Sequence, residues 1–180
     1  METKETIAAI RERARGNFSK GFNCAECVLE AVLTTVDTGL PAESLKMATG
    51  FGGGVGLYGD TCGAITGAVL AVGAVHGRSR LPAGDDRKAA LQEARQELHG
   101  RPGLYRLFNQ IPNRIEEKYG HTLCRRLTEP WQGQWSCRDR ALRCRDIVGD
   151  AAEIAAELVT CNLATAGNKP FGKNVENLSD

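Results

Sequence analysis

The sequence predicts an all-α fold, a single-domain bundle of about six helices with a glycine-rich loop before a central helix. Apolar residues recur at helical spacing along most of the chain, and no convincing run of alternating β-branched residues is present. The length of 180 residues suits one hydrophobic core. We therefore expect a helical domain that carries the cysteine site over residues 1–163, and a loosely held tail over residues 164–180.

The first helices are predicted from periodicity and from capping residues. An amphipathic helix is expected over residues 6–18. A second helix follows Asn23, because Glu26 completes a capping-box pattern before an apolar run. A short third helix is expected over residues 41–49, since a proline suits its start. The glycine-rich segment 50–59 then forms a loop.

The fourth helix is predicted to be the central one. Asp60 or Thr61 caps it, and it extends to about residue 75. Gly63 and Gly67 lie about one turn apart, which lets another backbone approach closely. That backbone can belong to the same chain or to a second copy, so a homodimer is one of the two arrangements that we consider.

Three further helices are predicted in the second half of the chain. They cover residues 86–98, 104–119 and 140–159. Pro112 is expected to kink or split the middle one. An irregular segment before the last helix carries Trp131 and Trp135, which we expect to anchor that segment to the core.

Composition and charge narrow the classes of function. A net charge of +1 gives no reason to expect nucleic acid or a membrane surface as partner. The N-terminal residues lack the apolar segment of a secretory signal, and the longest apolar stretch, residues 64–75, is too short to span a bilayer. We therefore expect a cytoplasmic location, in which cysteines serve metal binding or redox chemistry more often than disulfides. The chain has seven cysteines: Cys24, Cys27, Cys62, Cys124, Cys137, Cys144 and Cys161.

The cysteines differ in their predicted places along the helices. Cys24 and Cys62 fall in first helical turns, where the helix dipole is expected to lower the pKa of a thiol. Cys144 lies on the apolar stripe of the last helix, and Cys124 begins a new segment. Cys161 lies 17 residues beyond Cys144, roughly 25 Å along a continuous helix, so the two cannot share a site. Between Cys124 and Arg145 arginines outnumber acidic residues, and their charge would offset that of thiolates.

The order of motifs resembles one family. The motifs are Asn-Cys-Ala at 23–25, Gly-Phe-Gly-Gly-Gly at 50–54, Cys-Gly-Ala-Ile-Thr-Gly at 62–67, Cys124 and Cys144. They are similar to the C_GCAxxG_C_C family, described as redox-active. The resemblance implies that the family cysteines are Cys24, Cys62, Cys124 and Cys144, with a supporting loop of Gly52, Gly53, Gly54 and Gly63.

The resemblance also implies a cofactor. The family is related to the iron–sulfur domain of split-Soret cytochrome c, so an iron–sulfur cluster, most plausibly [2Fe–2S], is the leading hypothesis for the four cysteines. Covalent haem attachment needs Cys-x-x-Cys-His, whereas Val28 follows Cys27 here. We therefore expect no c-type haem.

Two other hypotheses for the function of the cysteines stay open. Thiol–disulfide exchange without metal is the first, since Cys24-x-x-Cys27 has the spacing of a dithiol pair, and pairing of Cys62 with Cys24 or Cys144 is an equally good version. A structural zinc site made by four cysteines is the second, although structural zinc usually shows two short cysteine pairs. Cys27, Cys137 and His121 are possible accessory residues of any of these sites.

A nicotinamide site is excluded despite a matching motif. Residues 54–59 fit G-x-G-x-x-G, but no strand is predicted before them and no βαβ unit surrounds them. The protein is therefore not a Rossmann-type dehydrogenase. Whether it is another oxidoreductase or an electron carrier stays open, as does the identity of its redox partner protein.

Overall fold

The computed structural model describes residues 3–82 and 86–172, and these residues confirm the all-α class. The α-helices, in chain order, are α1 (Thr3–Ser19), α2 (Cys24–Thr35), α3 (Gly63–His76), α4 (Arg87–His99), α5 (Leu104–Phe108), α6 (Gln110–Tyr119), α7 (Cys124–Leu127), α8 (Arg138–Thr160) and α9 (Leu163–Ala166). Two 3-10 helices cover Ala42–Phe51 and Glu129–Trp131. No helix within the described ranges combines the length and the apolarity that a membrane crossing requires.

Helices α1, α2, α3 and α8 enclose the core, and small side chains let them pack closely. Alanines supply much of the buried surface of α3 and α8. A Cβ added at Gly67 of α3 would lie 2.6 Å from the carbonyl oxygen of Ala25 in α2. The close approach that the glycine spacing predicted is therefore made within the chain, between the central helix and α2.

The start of α2 confirms the predicted capping box. The side chain of Asn23 accepts hydrogen bonds from the N–H groups of Ala25 and Glu26, and the Glu26 carboxylate accepts from the N–H of Asn23. The Thr49 hydroxyl donates to the same carboxylate, at 2.7 Å. The end of the first 3-10 helix is thereby tied to the start of α2, and the glycine-rich segment leaves from this point.

Two helices differ from the prediction in detail. The segment expected as a helix over 41–49 is a 3-10 helix, Ala42–Phe51, whose N-cap Pro41 makes no side-chain cap. The helix expected over 104–119 is divided at Asn109 into α5 and α6. Pro112 does not cause the break, because it lies in the first turn of α6, where a missing N–H costs no helical hydrogen bond.

The segment that follows α8 packs against α5 and α6 as far as it is described. Gly167 accepts a hydrogen bond from Gly103 N–H at 3.0 Å, and Gly172 N–H donates to the Asn109 side chain at 2.7 Å. The guanidinium of Arg106 lies 4.4 Å from the centre of the Phe171 ring. Residues 164–172 of the expected tail are thus attached to the bundle, and residues 173–180 lie outside the described part.

A buried carboxylate joins three helices of the bundle. Asp150 of α8 accepts hydrogen bonds from Arg11 of α1 and from Tyr119 of α6, and it forms an ion pair with Lys118. Burial alone would raise the pKa of Asp150, but the hydrogen bonds from Lys118 and Tyr119 outweigh it and hold the pKa below its ordinary value. The charged form of Asp150 therefore stabilises the bundle.

Candidate functional site: four cysteines around one cavity

Four cysteines from four segments line a cavity of about 570 Å³. Cys24 is the first residue of α2, and Cys62 immediately precedes α3. Cys124 is the first residue of α7, and Cys144 lies in the second turn of α8. Cys62 and Cys124 are buried, whereas Cys24 and Cys144 are partly exposed. The structure therefore brings to one place the four cysteines that the family resemblance singled out.

A short antiparallel bridge explains how distant parts of the chain meet at the cavity. Thr61 pairs with Leu123. The N–H of Cys62 donates to the carbonyl of Thr122 at 2.9 Å, and the N–H of Cys124 donates to the carbonyl of Asp60 at 2.7 Å. These bonds hold the backbones of the two buried cysteines side by side.

Two glycines provide the space that the sulfurs need. A Cβ added at Gly63 would lie 2.5 Å from Cys24 Sγ and 2.7 Å from the carbonyl oxygen of Phe51. A Cβ added at Gly54 would lie 2.8 Å from Cys124 Cβ. Any larger residue at either position would displace a cysteine or the backbone. Gly52 and Gly53, the other members of the expected supporting loop, line the cavity.

The glycine-rich segment forms a left-handed turn beside the cavity. Its φ angles are +66° at Gly53, +70° at Gly54, +62° at Val55, +60° at Gly56 and +67° at Leu57. Positive φ is strained for a leucine and still more for a β-branched valine. Residues 54–59, which fit the dinucleotide motif, are thus part of a turn between a 3-10 helix and α3, with no strand before them.

The thiol pKa values differ from the prediction for Cys62. Burial, and next the proximity of Cys24, raise the pKa of Cys62. Burial also raises the pKa of Cys124, and it raises that of Cys144 to about 11. The lowered pKa predicted for Cys62 is wrong for two reasons: the residue is the N-cap of α3 rather than a member of its first turn, and it is removed from water.

One arginine of the cavity wall opposes the rise in the thiol pKa values. Arg140 lines the cavity, and its charge lowers the pKa values of Cys124 and Cys144, although burial prevails at both. The guanidinium donates to the carbonyl of Trp135 at 2.7 Å and stacks 3.4 Å from the centre of the indole ring. Trp135 is exposed at the cavity and does not anchor the segment to the core as expected. The sequence indicated an excess of arginines here but not which one faces the cysteines.

The other candidate residues do not line this cavity. Cys27 is buried on another side of α2, where its thiol contacts the carbonyl of Phe22. Cys137 caps α8, while Cys161 and His121 are exposed. Among residues 3–82 and 86–172, no three His, Cys, Asp or Glu side chains are arranged as a site for a single metal ion.

The fold and the cavity define an all-α protein in which four cysteines from separate segments line one cavity. Over residues 22–158 the chain matches the family model described as "Putative redox-active protein (C_GCAxxG_C_C)". The chain belongs to this C_GCAxxG_C_C family of redox-active proteins. No curated protein and no solved structure matched the chain.

Proposed function

We propose that Cys24, Cys62, Cys124 and Cys144 ligate an iron–sulfur cluster, with [2Fe–2S] as the first candidate, for electron transfer or redox sensing. The observation that carries the proposal is the selective gathering of these four thiols around one cavity. Four cysteine thiolates are the usual ligand set of such a cluster. The remaining cysteines, which lie outside the cavity lining, serve as internal controls.

The shape of the site supports a group of several atoms. Zinc bound by four thiolates has Zn–S distances of about 2.3 Å, so that its sulfurs lie roughly 3.8 Å apart in a tetrahedron. The four cysteines line a cavity of about 570 Å³, which has room for a group of several atoms.

The surrounding residues are suited to a charged redox group. When bound, a cluster would accept and release one electron, and its thiolate ligands would be deprotonated. Arg140 places a positive charge on the cavity wall, which would stabilise the anionic site. Gly54 and Gly63 keep the contacts beside Cys124 and Cys24 free of side chains. Burial of Cys62 and Cys124 would limit the access of water.

Thiol–disulfide exchange is the second candidate, because Cys24 and Cys62 line the same cavity and lie close enough for Cys24 to raise the pKa of Cys62. Their oxidation would form one S–S bond and release two electrons and two protons to a partner disulfide, which becomes two thiols. The raised pKa of Cys62 opposes this function, since a protonated thiol is a poor nucleophile.

Metal and sulfide analysis after anaerobic purification tests the proposal. Iron with an equal amount of acid-labile sulfide, and broad visible absorption, would support the cluster. Serine substitution of Cys62 should abolish both, whereas Cys137→Ser and Cys161→Ser should leave both unchanged. Zinc without iron would indicate a zinc site. Metal-free protein whose thiols oxidise and reduce reversibly would favour disulfide exchange.

A further inference from the structure

Exposed apolar side chains surround the opening of the cysteine cavity. Phe22, Leu57 and Trp135 line the cavity and are also exposed to solvent. Val55 and Tyr58 extend this surface along the left-handed turn, and Leu57 and Tyr58 are 67% and 77% exposed. We call these five side chains the mouth surface. An exposed apolar group of this size beside a functional cavity is typical of an interaction site.

Backbone strain coincides with this exposure. Val55 and Leu57 have the unfavourable positive φ described above, and both side chains face solvent rather than the core. Neither the strain nor the exposure stabilises the isolated chain. A partner that covers the mouth surface would bury the side chains that the turn holds outward.

The charges near the mouth surface are suited to an acidic partner. Lys20, Arg125 and Arg138 are exposed, and among the described residues no ion pair engages them. Arg125 adjoins the turn, since a Cβ at Gly59 would lie 3.1 Å from Arg125 Cβ. Lys20 precedes residues that line the cavity, and Arg138 begins the helix that contains Arg140; the basic residues here outnumber the acidic neighbours at positions 60 and 139. An apolar centre with basic residues at its rim is complementary to an apolar patch ringed by carboxylates.

We propose that the mouth surface docks an acidic protein that carries one electron, a proposal that rests on the proposed redox function of the four cysteines. One electron then passes between the partner's redox centre and the cysteine site, one being oxidised as the other is reduced, with no bond formed or broken. A second copy of the chain fits less well, because two-fold contact would bring the basic rim against itself. A membrane surface fits less well because the apolar residues surround a concave opening.

The test measures binding, so that its outcome is independent of the cluster. An acidic plant-type ferredoxin is titrated into the full-length protein in the oxidised state, by calorimetry at about 0.05 M and at about 0.5 M salt. Basic cytochrome c is the control probe. Iron and sulfide analysis of the same samples reports separately on the proposed function.

Two substitutions with matched controls locate the interface. Tyr58→Ala removes an exposed ring of the mouth surface, and Tyr105→Ala makes the same change on α5. Arg125→Glu reverses a charge beside the mouth surface. Arg95→Glu makes the same change on α4, a helix that does not line the cavity. We expect Tyr58→Ala and Arg125→Glu each to weaken ferredoxin binding about tenfold at low salt, with less than a twofold effect of either control.

Each outcome decides the proposal. Salt-sensitive binding of ferredoxin but not of cytochrome c, weakened by the two mouth variants, would support it even in samples without a cluster. Absence of ferredoxin binding at low salt would overturn it, as would equal effects of mouth and control variants. Dimerisation, or binding to anionic lipid vesicles, that depends on Tyr58 would overturn it in favour of self-association or a membrane.

Discussion

Replacing Gly63 by alanine tests whether the site depends on close packing. The added Cβ would lie 2.5 Å from Cys24 Sγ and 2.7 Å from the Phe51 carbonyl oxygen, about 1 Å closer than ordinary van der Waals contact. Overpacking of this kind costs about 1–3 kcal/mol, and the better helix propensity of alanine returns about 0.5–1 kcal/mol. We expect a net loss of about 1.5 kcal/mol, which lowers Tm by roughly 3–6 °C in a chain of this size.

The same substitution should displace Cys24 and impair retention of iron and sulfide. Gly73→Ala is the matched control in the same helix, because the nearest side-chain atoms to its added Cβ, those of Phe108, lie at 4.0 Å. That variant should be as stable as the parent or slightly more stable. Thermal unfolding and metal analysis of both variants decide the question. A Gly63→Ala protein with unchanged Tm and full iron and sulfide would refute the packing argument.

Three further predictions concern charge and thiol reactivity. Arg140→Gln should lower the midpoint potential of the site by roughly 40 mV, the equivalent of about 1 kcal/mol of lost attraction to an added electron, and spectroelectrochemistry would contradict this if the potential were unchanged. Asp150→Asn should cost about 2 kcal/mol at pH 7, measured by urea unfolding. Because the pKa of Asp150 is lowered in the folded protein, the difference in unfolding free energy between the parent and Asp150→Asn should persist above about pH 4 and disappear as the pH falls through the folded pKa. A free-energy difference that stays constant with pH would contradict this role of the carboxylate. In metal-free protein at pH 8, Cys161 should be alkylated before Cys27, whose pKa burial raises to about 12, as peptide mass analysis would show; equal rates would count against the placement of Cys27.

The parts of the fold that follow from local chemistry were predictable. The start of α2 depends on Asn23 and Glu26, three residues apart, so the sequence contains all the information for the capping box. The break at Asn109 was assigned to Pro112 instead, because a proline is a strong signal in a helical pattern. The division falls at Asn109, whose side chain accepts a hydrogen bond from the distant Gly172 N–H, a contact that local patterns do not contain.

The candidate site was predictable in its residues but not in its electrostatics. The family resemblance named the four cysteines that line the cavity, whereas the pairing of Thr61 with Leu123 that brings two of them together is a long-range contact. The sequence predicts Cys62 in the first turn of a helix, whereas it is the N-cap residue of α3 and is buried. Removal of Cys62 from water has the largest effect on its pKa, and this pKa is therefore raised rather than lowered as predicted.

The left-handed conformation of the turn could not be predicted from the sequence. Glycines predicted a loop, but local preference places Val55 and Leu57 at negative φ, since the left-handed conformation costs roughly 1–2 kcal/mol for each such residue. Hydrogen bonds from Gly56 N–H to Gly50 and from Gly59 N–H to Gly53, at 2.8 and 3.1 Å, hold the turn in this form. Because the turn directs both side chains into solvent, burial in the core does not offset their strain, and this is one of the observations on which the proposed docking surface depends.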